Sequence, residues 1–181
     1  MKKKKIFLII NKDITNSIDK IIKHKNINIV YRNYNNNYEN EFKKVLLTTK
    51  KKNIPLFVAY HQSLIKKYKV NGFYIPSFVK KKIYIGEKNF LIGSAHNFRE
   101  IYQKQLQGCK IIFISPLFNN NKSKKNLGII KFNLITKNFK SSFCALGGIN
   151  SSNFKKVLLT KSIGAAGINI INHLSFMRKF N

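Results

Sequence analysis

Short apolar runs recur along this chain, each followed by a polar or amphipathic segment, and this alternation constrains the fold more than any other feature. The runs are continuous rather than alternating, which is typical of strands in a parallel sheet that is buried on both faces. We expect strands at Ile6–Ile10, Ile27–Arg32, Ile54–Tyr60, Gly72–Pro76, Phe90–Ala95, Lys110–Pro116, Phe143–Gly147 and Ala165–Ile170. Repeated strand–helix alternation predicts an α/β fold, a compact closed (β/α)8 barrel, with a doubly wound open sheet as the alternative.

The segments between these runs have the apolar spacing of helices. We expect helices at Ser17–His24, Asn40–Lys51, His61–Tyr68, Asn97–Gln107, Gly128–Asn138, Ser151–Thr160 and His173–Phe180. A short turn near Val79–Lys82 is expected to replace one helix, and the Asn- and Lys-rich stretch Asn119–Asn126 reads as a loop. The 181 residues show no linker, so we predict one domain over 1–181, short for a barrel that usually takes about 250 residues.

The formal net charge is +29, from 35 Lys and Arg against 6 Asp and Glu. Such a charge is typical of proteins that bind nucleic acid or anionic membranes. Here, however, Lys, Asn and Ile, which A/T-rich codons encode, dominate the whole chain, and the lysines are spread over every predicted helix and loop. We therefore favour codon bias as the cause and expect no nucleic-acid partner, although the charge would steer phosphate-bearing substrates toward the protein.

The apolar runs are too short for a membrane span, which takes about 18 residues. The run Ile6–Ile10, behind a basic start, is also short for the roughly 7–15-residue apolar part of a signal peptide. Cys109 and Cys144 lie in apolar contexts that fit core thiols rather than a disulfide or a metal pair. We expect a cytoplasmic protein without a membrane partner. The question of whether it forms a homo-oligomer stays open.

A glycine pair, Gly147-Gly148, closes the seventh predicted strand, and a helix is predicted to begin at Asn150 or Ser151. Two glycines let the backbone approach a ligand closely, and the exposed N–H groups of a helix start favour an anion. With the small-residue strand at Gly164–Gly167, the pair predicts a phosphate site at the last two strands of the barrel. A purely structural tight turn is the alternative.

Other polar side chains stand at predicted strand ends, where a barrel carries its chemistry. His96 follows the fifth strand, and its imidazole is suited to proton transfer near neutral pH, with a helix-capping or surface histidine as the alternative. Arg32 follows the second strand and has the geometry to hold a phosphate with two hydrogen bonds.

Four motifs occur in order: Ser94-Ala95-His96-Asn97 with Glu100, Ser115-Pro116-Leu117-Phe118, Ala145-Leu146-Gly147-Gly148-Ile149-Asn150 and Gly164-Ala165-Ala166-Gly167. In these motifs the chain resembles the thiamine phosphate synthase/TenI family from about Ile6 to Ile171. The resemblance implies a TIM barrel that works on thiazole phosphate in thiamine biosynthesis. It implies first the synthase, a transferase that joins hydroxymethylpyrimidine diphosphate to thiazole phosphate and releases diphosphate with the help of Mg²⁺. The alternatives are a TenI-like metal-free thiazole tautomerase and a non-catalytic barrel that binds thiazole phosphate or thiamine phosphate.

The resemblance also assigns roles to residues. His96 would be the catalytic acid/base, and Ser94 would orient the substrate. The substrate- and phosphate-binding residues that it implies are Arg32, Ser94, Ser123, Lys124, Gly147, Gly148 and Asn172. Lys122 or Lys125 takes the place of the loop pair Ser123-Lys124 if the register of that loop differs.

The chain departs from the family pattern at the second to fourth strand ends. Of the family's Gln-x-Arg-x-Lys only Arg32 remains, Ala59-Tyr60 stands where the family has Asn-Asp, and its second metal carboxylate falls near Val79. Because Mg²⁺ usually binds one or two carboxylates, the sequence shows no evident metal ligands, and Mg²⁺ would be held mainly by the diphosphate and water. No other cofactor is expected. Tyr34, Tyr60 and His61 either replace the lost groups or fill the barrel mouth, and we favour fill.

Overall fold

Eight parallel strands close into one barrel, each paired with its neighbours along the chain, in a computed structural model that describes residues 4–12, 26–35, 38–86, 90–119, 125–168 and 170. The strands are β1 (Lys5–Ile10), β2 (Ile27–Tyr31), β3 (Leu56–Ala59), β4 (Gly72–Ile75), β5 (Phe90–Ala95), β6 (Ile111–Ile114), β7 (Ser142–Leu146) and β8 (Gly164–Gly167). The barrel closes where Ile6 of β1 pairs with Ala165 of β8. The predicted (β/α)8 barrel is confirmed, and the open sheet is excluded.

Helices join the strands on the outside of the barrel. Within the described ranges these are α1 (Tyr38–Lys51), α2 (Gln62–Lys67), α3 (Phe98–Leu106), α4 (Gly128–Lys137) and a 3₁₀ helix at Phe154–Leu159. The α-helix expected at Ser151–Thr160 is therefore wrong in type and start. The reason is local. The Asn150 side chain accepts the N–H groups of Ser152 and Asn153, so the chain forms a turn before the helix begins. The helices predicted at Ser17–His24 and His173–Phe180 lie outside the described residues.

Two layers of apolar side chains explain the continuous apolar runs. Alternate strand residues such as Phe7, Phe57 and Phe113 fill the barrel interior, where the rings of Phe7 and Phe113 lie 4.9 Å apart. The residues between them, such as Leu8, pack outward against helix residues such as Phe42. Each strand is therefore buried on both faces, as the sequence predicts. Cys109 and Cys144 are buried and free, which agrees with the prediction of core thiols.

The connection from β4 to β5 has no helix over residues 76–86, which confirms the turn predicted near Val79–Lys82. The adjacent helix α3 holds this connection instead. The ammonium of Lys104 donates to the carbonyl oxygens of Pro76 and Val79, at 2.8 Å each, and to Oε1 of Gln107 at 2.9 Å. Gln107 in turn donates to the carbonyls of Val79 and Lys81. No helix in the part of the chain that the structure describes is long and apolar enough to cross a membrane.

Candidate functional site at the barrel mouth

The ends of β5, β6 and β7 bring three predicted features of the site together. Nδ1 of His96, after β5, lies 2.9 Å from the carbonyl oxygen of Ser115, after β6. Ser115 in turn lies against Gly147, after β7: a Cβ added at Gly147 would lie 3.0 Å from the Ser115 hydroxyl oxygen. A histidine and a glycine turn that are far apart in sequence therefore flank one serine.

The backbone around His96 is fixed by the cap of α3. Asn97 is the N-cap residue, and its side chain accepts the N–H of Glu100 at 2.9 Å. The Glu100 carboxylate reaches back and accepts the N–H of His96 at 2.8 Å. Because Asn97 and Glu100 cap the helix, the imidazole of His96 is not used as a cap and stays exposed. Glu100 acts here as a capping residue.

The glycine turn is required by its own geometry. Gly147 and Gly148 have φ of +88° and +69°, a region that favours glycine. A Cβ at Gly148 would lie 2.3 Å from the carbonyl oxygen of Phe118 and 2.5 Å from that of Asn119, so the backbone after β6 crosses directly over the turn. Among the described residues, no hydrogen bond uses the N–H groups of Gly148 and Ile149. The turn therefore has a structural cause and also leaves two donors for a ligand.

A buried tyrosine lies beside two further predicted site residues, Ser94 and Arg32. The hydroxyl of Tyr74, on β4 inside the barrel, is hydrogen-bonded by the side chains of Ser94 and Arg32. Burial raises the pKa of Tyr74, and the hydrogen bond with Ser94 and the nearby Arg32 charge lower it in part. Ser94, which lies on β5, is itself buried. Tyr74 was not predicted as a site residue; its only sequence signal is a hydroxyl in an otherwise apolar strand.

Arg32 also lines a small cavity of about 150 Å³ at the ends of β1, β2 and β8. The other lining residues are Ile9, Ile10, Asn11, Tyr34 and Ile168. The guanidinium therefore lies beside the end of β8, next to the strand that carries Gly147-Gly148. The predicted residues Ser123, Lys124 and Asn172 lie outside the described residues.

Three aromatic rings stand at the ends of β2, β3 and β4, and we call Tyr34, Tyr60 and Phe78 the mouth aromatic cluster. The ring centres of Tyr34 and Tyr60 are 5.5 Å apart and nearly perpendicular, and Phe78 lies 6.3 Å from both. Tyr34, Tyr60 and Phe78 are 47%, 51% and 61% exposed. Both tyrosines therefore pack on each other at the mouth while about half open to solvent, and the choice between fill and replacement of the lost groups stays a prediction. Phe78 was missed because it lies in a segment without periodicity.

His61 belongs to the structure around this cluster. Its Nε2 lies 2.7 Å from the carbonyl oxygen of Asn33, and its ring stacks on Tyr38 with centres 3.6 Å apart. The two contacts fix the loop after β3 against the loop after β2 and against the start of α1.

The described residues do not fit a metal site of the kind that the family resemblance implies. No group of three or more His, Cys, Asp or Glu side chains able to hold a metal is found among them. Tyr60 and Phe78 stand at the strand ends where carboxylates would be expected, and they contact each other instead. Because Mg²⁺ takes oxygen ligands, usually including a carboxylate, these rings provide no protein-held site for it.

Comparisons with known proteins agree with this architecture. The sequence model of the family described as thiamine monophosphate synthase (TMP-TENI) matches residues 3–174. A thiamine-phosphate synthase of Prochlorococcus marinus is 36% identical over 101 residues, which are 54% of this chain and 28% of that protein. The match thus spans little more than a quarter of that relative.

Solved structures match over nearly the whole chain. Thiamine phosphate pyrophosphorylase from Pyrococcus furiosus superimposes with a TM-score of 0.77 at 18% identity, over 98% of this chain and 95% of that one. The pyrophosphorylase from Bacteroides thetaiotaomicron gives 0.67 at 15% identity, over 98% and 96%. The 2-keto-3-deoxy-6-phosphogluconate aldolase of Zymomonas mobilis gives 0.70 at 12% identity, over 98% and 90%. At these identities the structural matches establish the fold alone.

Proposed function

The chain belongs to the thiamine monophosphate synthase family, and on this premise we propose that it is an enzyme of thiamine biosynthesis that binds thiazole phosphate where β5, β6 and β7 end. The observation that carries the proposal is the contact of His96 with Ser115 beside the Gly147-Gly148 turn. This arrangement combines a titratable side chain with two unused backbone N–H groups, at Gly148 and Ile149, which suit a phosphate. The net charge of +29 favours the approach of such an anion.

His96 is the proposed acid/base. With Nδ1 donating to the Ser115 carbonyl, the neutral ring carries its proton on Nδ1 and leaves Nε2 as the basic nitrogen. Nε2 would accept a proton from the bound substrate and return it. The cap formed by Asn97 and Glu100 keeps the backbone of His96 in place. Ser94 would orient the substrate, its hydroxyl being held by Tyr74.

Joining hydroxymethylpyrimidine diphosphate to thiazole phosphate is the first candidate reaction, because family membership supports it. In that reaction Arg32 would bind the diphosphate, since its guanidinium stays charged and forms paired hydrogen bonds with phosphate oxygens. Since the described residues include no group of three or more metal-binding side chains, Mg²⁺ would be held mainly by the diphosphate and water.

A metal-free tautomerase acting on a thiazole phosphate is the second candidate, and one observation favours it. Aromatic rings rather than carboxylates stand at the ends of β3 and β4. A proton shift within the thiazole needs an acid/base and a phosphate site, and both are proposed at β5–β7. A barrel that binds the same ligand without turnover is the remaining alternative.

Binding and turnover of the purified protein test these proposals. Thiazole phosphate should raise the melting temperature, because a ligand that binds the folded state stabilises it by mass action. Formation of thiamine phosphate from both substrates with Mg²⁺ would establish the synthase. Thiazole isomerisation that is unchanged by EDTA would establish the tautomerase. Binding without either reaction would leave the non-catalytic barrel, and no binding of thiazole phosphate would overturn the proposal.

A further inference from the structure

A second cavity lies at the end of the barrel opposite to the candidate site, where the strands begin. Its volume is about 890 Å³, and it extends beneath neighbouring strands from β5 through β8 to β1. Because the strands are parallel, the barrel separates this cavity from the mouth, and β5 alone spans roughly 17 Å. Its volume is typical of pockets that hold small molecules. We call it the basal cavity; its lining includes Lys4, Lys5, Phe90, Lys110, Lys140 and Ile163.

Lysines surround the basal cavity without an opposite charge. Lys4 and Lys5 stand at the start of β1, Lys110 precedes β6, and Lys140 lies two residues before β7. The described lining residues include no Asp or Glu. The ammonium groups of Lys5, Lys110 and Lys140 form no hydrogen bond or ion pair with any part of the chain that the structure describes. A concave site with charges of one sign focuses the potential and attracts anions.

The barrel backbone fixes where two of these lysines stand. The N–H of Lys5 donates to the carbonyl oxygen of Ile163 at 2.8 Å, and the N–H of Lys110 donates to that of Leu91 at 2.9 Å. Lysine is frequent throughout this chain, so the number of lysines alone does not indicate a site. The sign of a site is that several of them converge on one cavity from positions that the strand pairing holds.

Lys4 is held through its side chain as well. Its ammonium donates to the carbonyl oxygen of Thr160 at 3.2 Å and to that of Ser162. An ammonium has three N–H donors, so these two bonds leave one donor for a ligand. Burial lowers the pKa of Lys4, because it disfavours the charged form. A bound anion would counter this effect by stabilising the ammonium.

Apolar side chains form the inner wall of the basal cavity. Ile111, at the start of β6, belongs to the cluster that fills the barrel interior, and Ile163 packs against that cluster. Phe90, at the start of β5, packs edge-on against Phe57 with ring centres 6.2 Å apart, yet remains 39% exposed. Phe90 is therefore held on one side and offers the rest of its ring to a planar group.

We propose that the basal cavity binds a nucleoside polyphosphate, with its phosphates on the lysines and its base against Phe90 and the apolar wall. Lysines act as point charges for phosphate, and several of them match the several negative charges of linked phosphates. The volume of the cavity exceeds the needs of a single phosphate and leaves room for a base. This second site goes beyond the proposed function, because neither His96 nor the Gly147-Gly148 turn takes part in it.

Calorimetric titration with ATP, without Mg²⁺ and in about 0.15 M salt to screen distant charges, tests the phosphate part of the proposal. The double variant Lys110→Gln/Lys140→Gln should bind ATP about tenfold more weakly than the wild type, the combined effect of two exposed charge contacts. Lys44→Gln/Lys66→Gln is the matched control, because it removes the same charge from α1 and α2, outside the cavity. It should bind ATP nearly as the wild type does.

Inorganic tripolyphosphate, a probe without a ring, tests the base part. The wild type should bind ATP about fivefold more tightly than tripolyphosphate, the size expected for one aromatic contact. Phe90→Leu should lose this preference. Tyr102→Leu should keep it, because Tyr102 is 55% exposed on α3 and does not line the cavity.

Several results would overturn the proposal: no binding of ATP, equal losses in the two double variants, no preference for ATP over tripolyphosphate, or an unchanged preference in Phe90→Leu. Equal losses would mean that ATP responds to net charge or binds elsewhere, for example at the mouth. Circular dichroism and melting verify that each variant is folded. Thiazole phosphate should bind Lys110→Gln/Lys140→Gln as it binds the wild type, so the proposed function stands or falls independently.

Discussion

Nδ1 of His96 lies 2.9 Å from the carbonyl oxygen of Ser115, so the residue after β5 is oriented by the residue after β6. This contact fixes both the rotamer and the tautomer of the imidazole, because a carbonyl only accepts. The proton therefore stays on Nδ1 in the neutral ring, and Nε2 is the nitrogen able to exchange a proton.

His96→Asn is the first prediction, because it separates orientation from proton transfer. The Asn amide can still donate to the Ser115 carbonyl, but it has no titratable nitrogen. We expect turnover to fall by roughly 10²–10⁴-fold, the usual contribution of a general acid/base, with thiazole phosphate affinity changed little. Steady-state kinetics and thermal-shift titration measure the two quantities. His61→Asn is the control, and equal losses in both variants would argue against an acid/base role for His96.

Gly148→Ala should destabilise the protein through the backbone that crosses the turn. Its Cβ would meet the carbonyl oxygens of Phe118 and Asn119 at 2.3 Å and 2.5 Å, in addition to the cost of φ at +69°. Gly108→Ala is a matched control, because φ is +83° there but the nearest atom to the added Cβ is 3.7 Å away. We expect about 1 kcal/mol lost at Gly108, the cost of the left-handed conformation, and clearly more at Gly148.

Urea unfolding measures both losses, and thiazole phosphate binding should weaken only in Gly148→Ala. Equal losses of stability at the two positions would show that the crossing backbone shifts at little cost. In that case close approach would not explain the glycine at 148.

The pH dependence of stability should reveal the lowered pKa of Lys104. Burial lowers the pKa of its ammonium from 10.5 to about 8. Between pH 8 and 10.5 the unfolded chain therefore binds a proton that the folded protein has lost, and the contribution of Lys104 to stability increases as pH rises through this window. The slope cannot exceed about 1.4 kcal/mol per pH unit.

Lys104→Met isolates this contribution. The pKa of the Cys109 thiol is raised by burial to about 12, so above its ordinary value of 9.0 this thiol makes stability fall as pH rises. Cys109 is present in both proteins, so the comparison removes most of its effect. Denaturation from pH 7 to 10.5 should show the wild type gaining stability relative to Lys104→Met. A constant difference would mean that Lys104 keeps an ordinary pKa in the fold.

Most of the fold follows from the sequence, because both faces of every barrel strand are buried. This burial requires continuous apolar runs, and the strand Phe90–Ala95 was predicted with the bounds it has in the structure. The helix at Ser151–Thr160 was wrong because helical periodicity does not reveal that the Asn150 side chain competes for the first N–H groups. Local pattern predicts an element, whereas side-chain hydrogen bonds decide how it begins.

The site is less accessible to sequence reasoning, because its contacts join distant strands. His96 and the glycine pair stand within recognisable motifs, so their placement at strand ends could be expected. The place of Tyr74 beside the site could not be expected, since it depends on Ser94 and Arg32, which reach the tyrosine from other strands. Phe78 could not either, since hydrogen bonds from the distant Lys104 fix the segment that carries it.

Tyr74→Phe should show whether the Tyr74 hydroxyl contributes to the candidate site as well as to the core. The substitution keeps the ring inside the barrel and removes the hydroxyl on which Ser94 and Arg32 converge. Tyr31→Phe is the matched control: Tyr31 is also buried, but its hydroxyl donates to the carbonyl oxygen of Tyr38, at 2.7 Å, on the outer side of the barrel. Each variant loses hydrogen bonds of a buried hydroxyl, so we expect both to lose about 1 kcal/mol of stability.

Only Tyr74→Phe should also change ligand binding, because it frees Ser94 and Arg32 to adopt other orientations. We expect the dissociation constants for thiazole phosphate and for hydroxymethylpyrimidine monophosphate to rise severalfold in this variant and to stay at the wild-type values in Tyr31→Phe. Calorimetric titration of the three proteins measures the difference. If both variants bind both ligands like the wild type, Tyr74 is a core residue, and the positions of Ser94 and Arg32 are set by the strand ends alone.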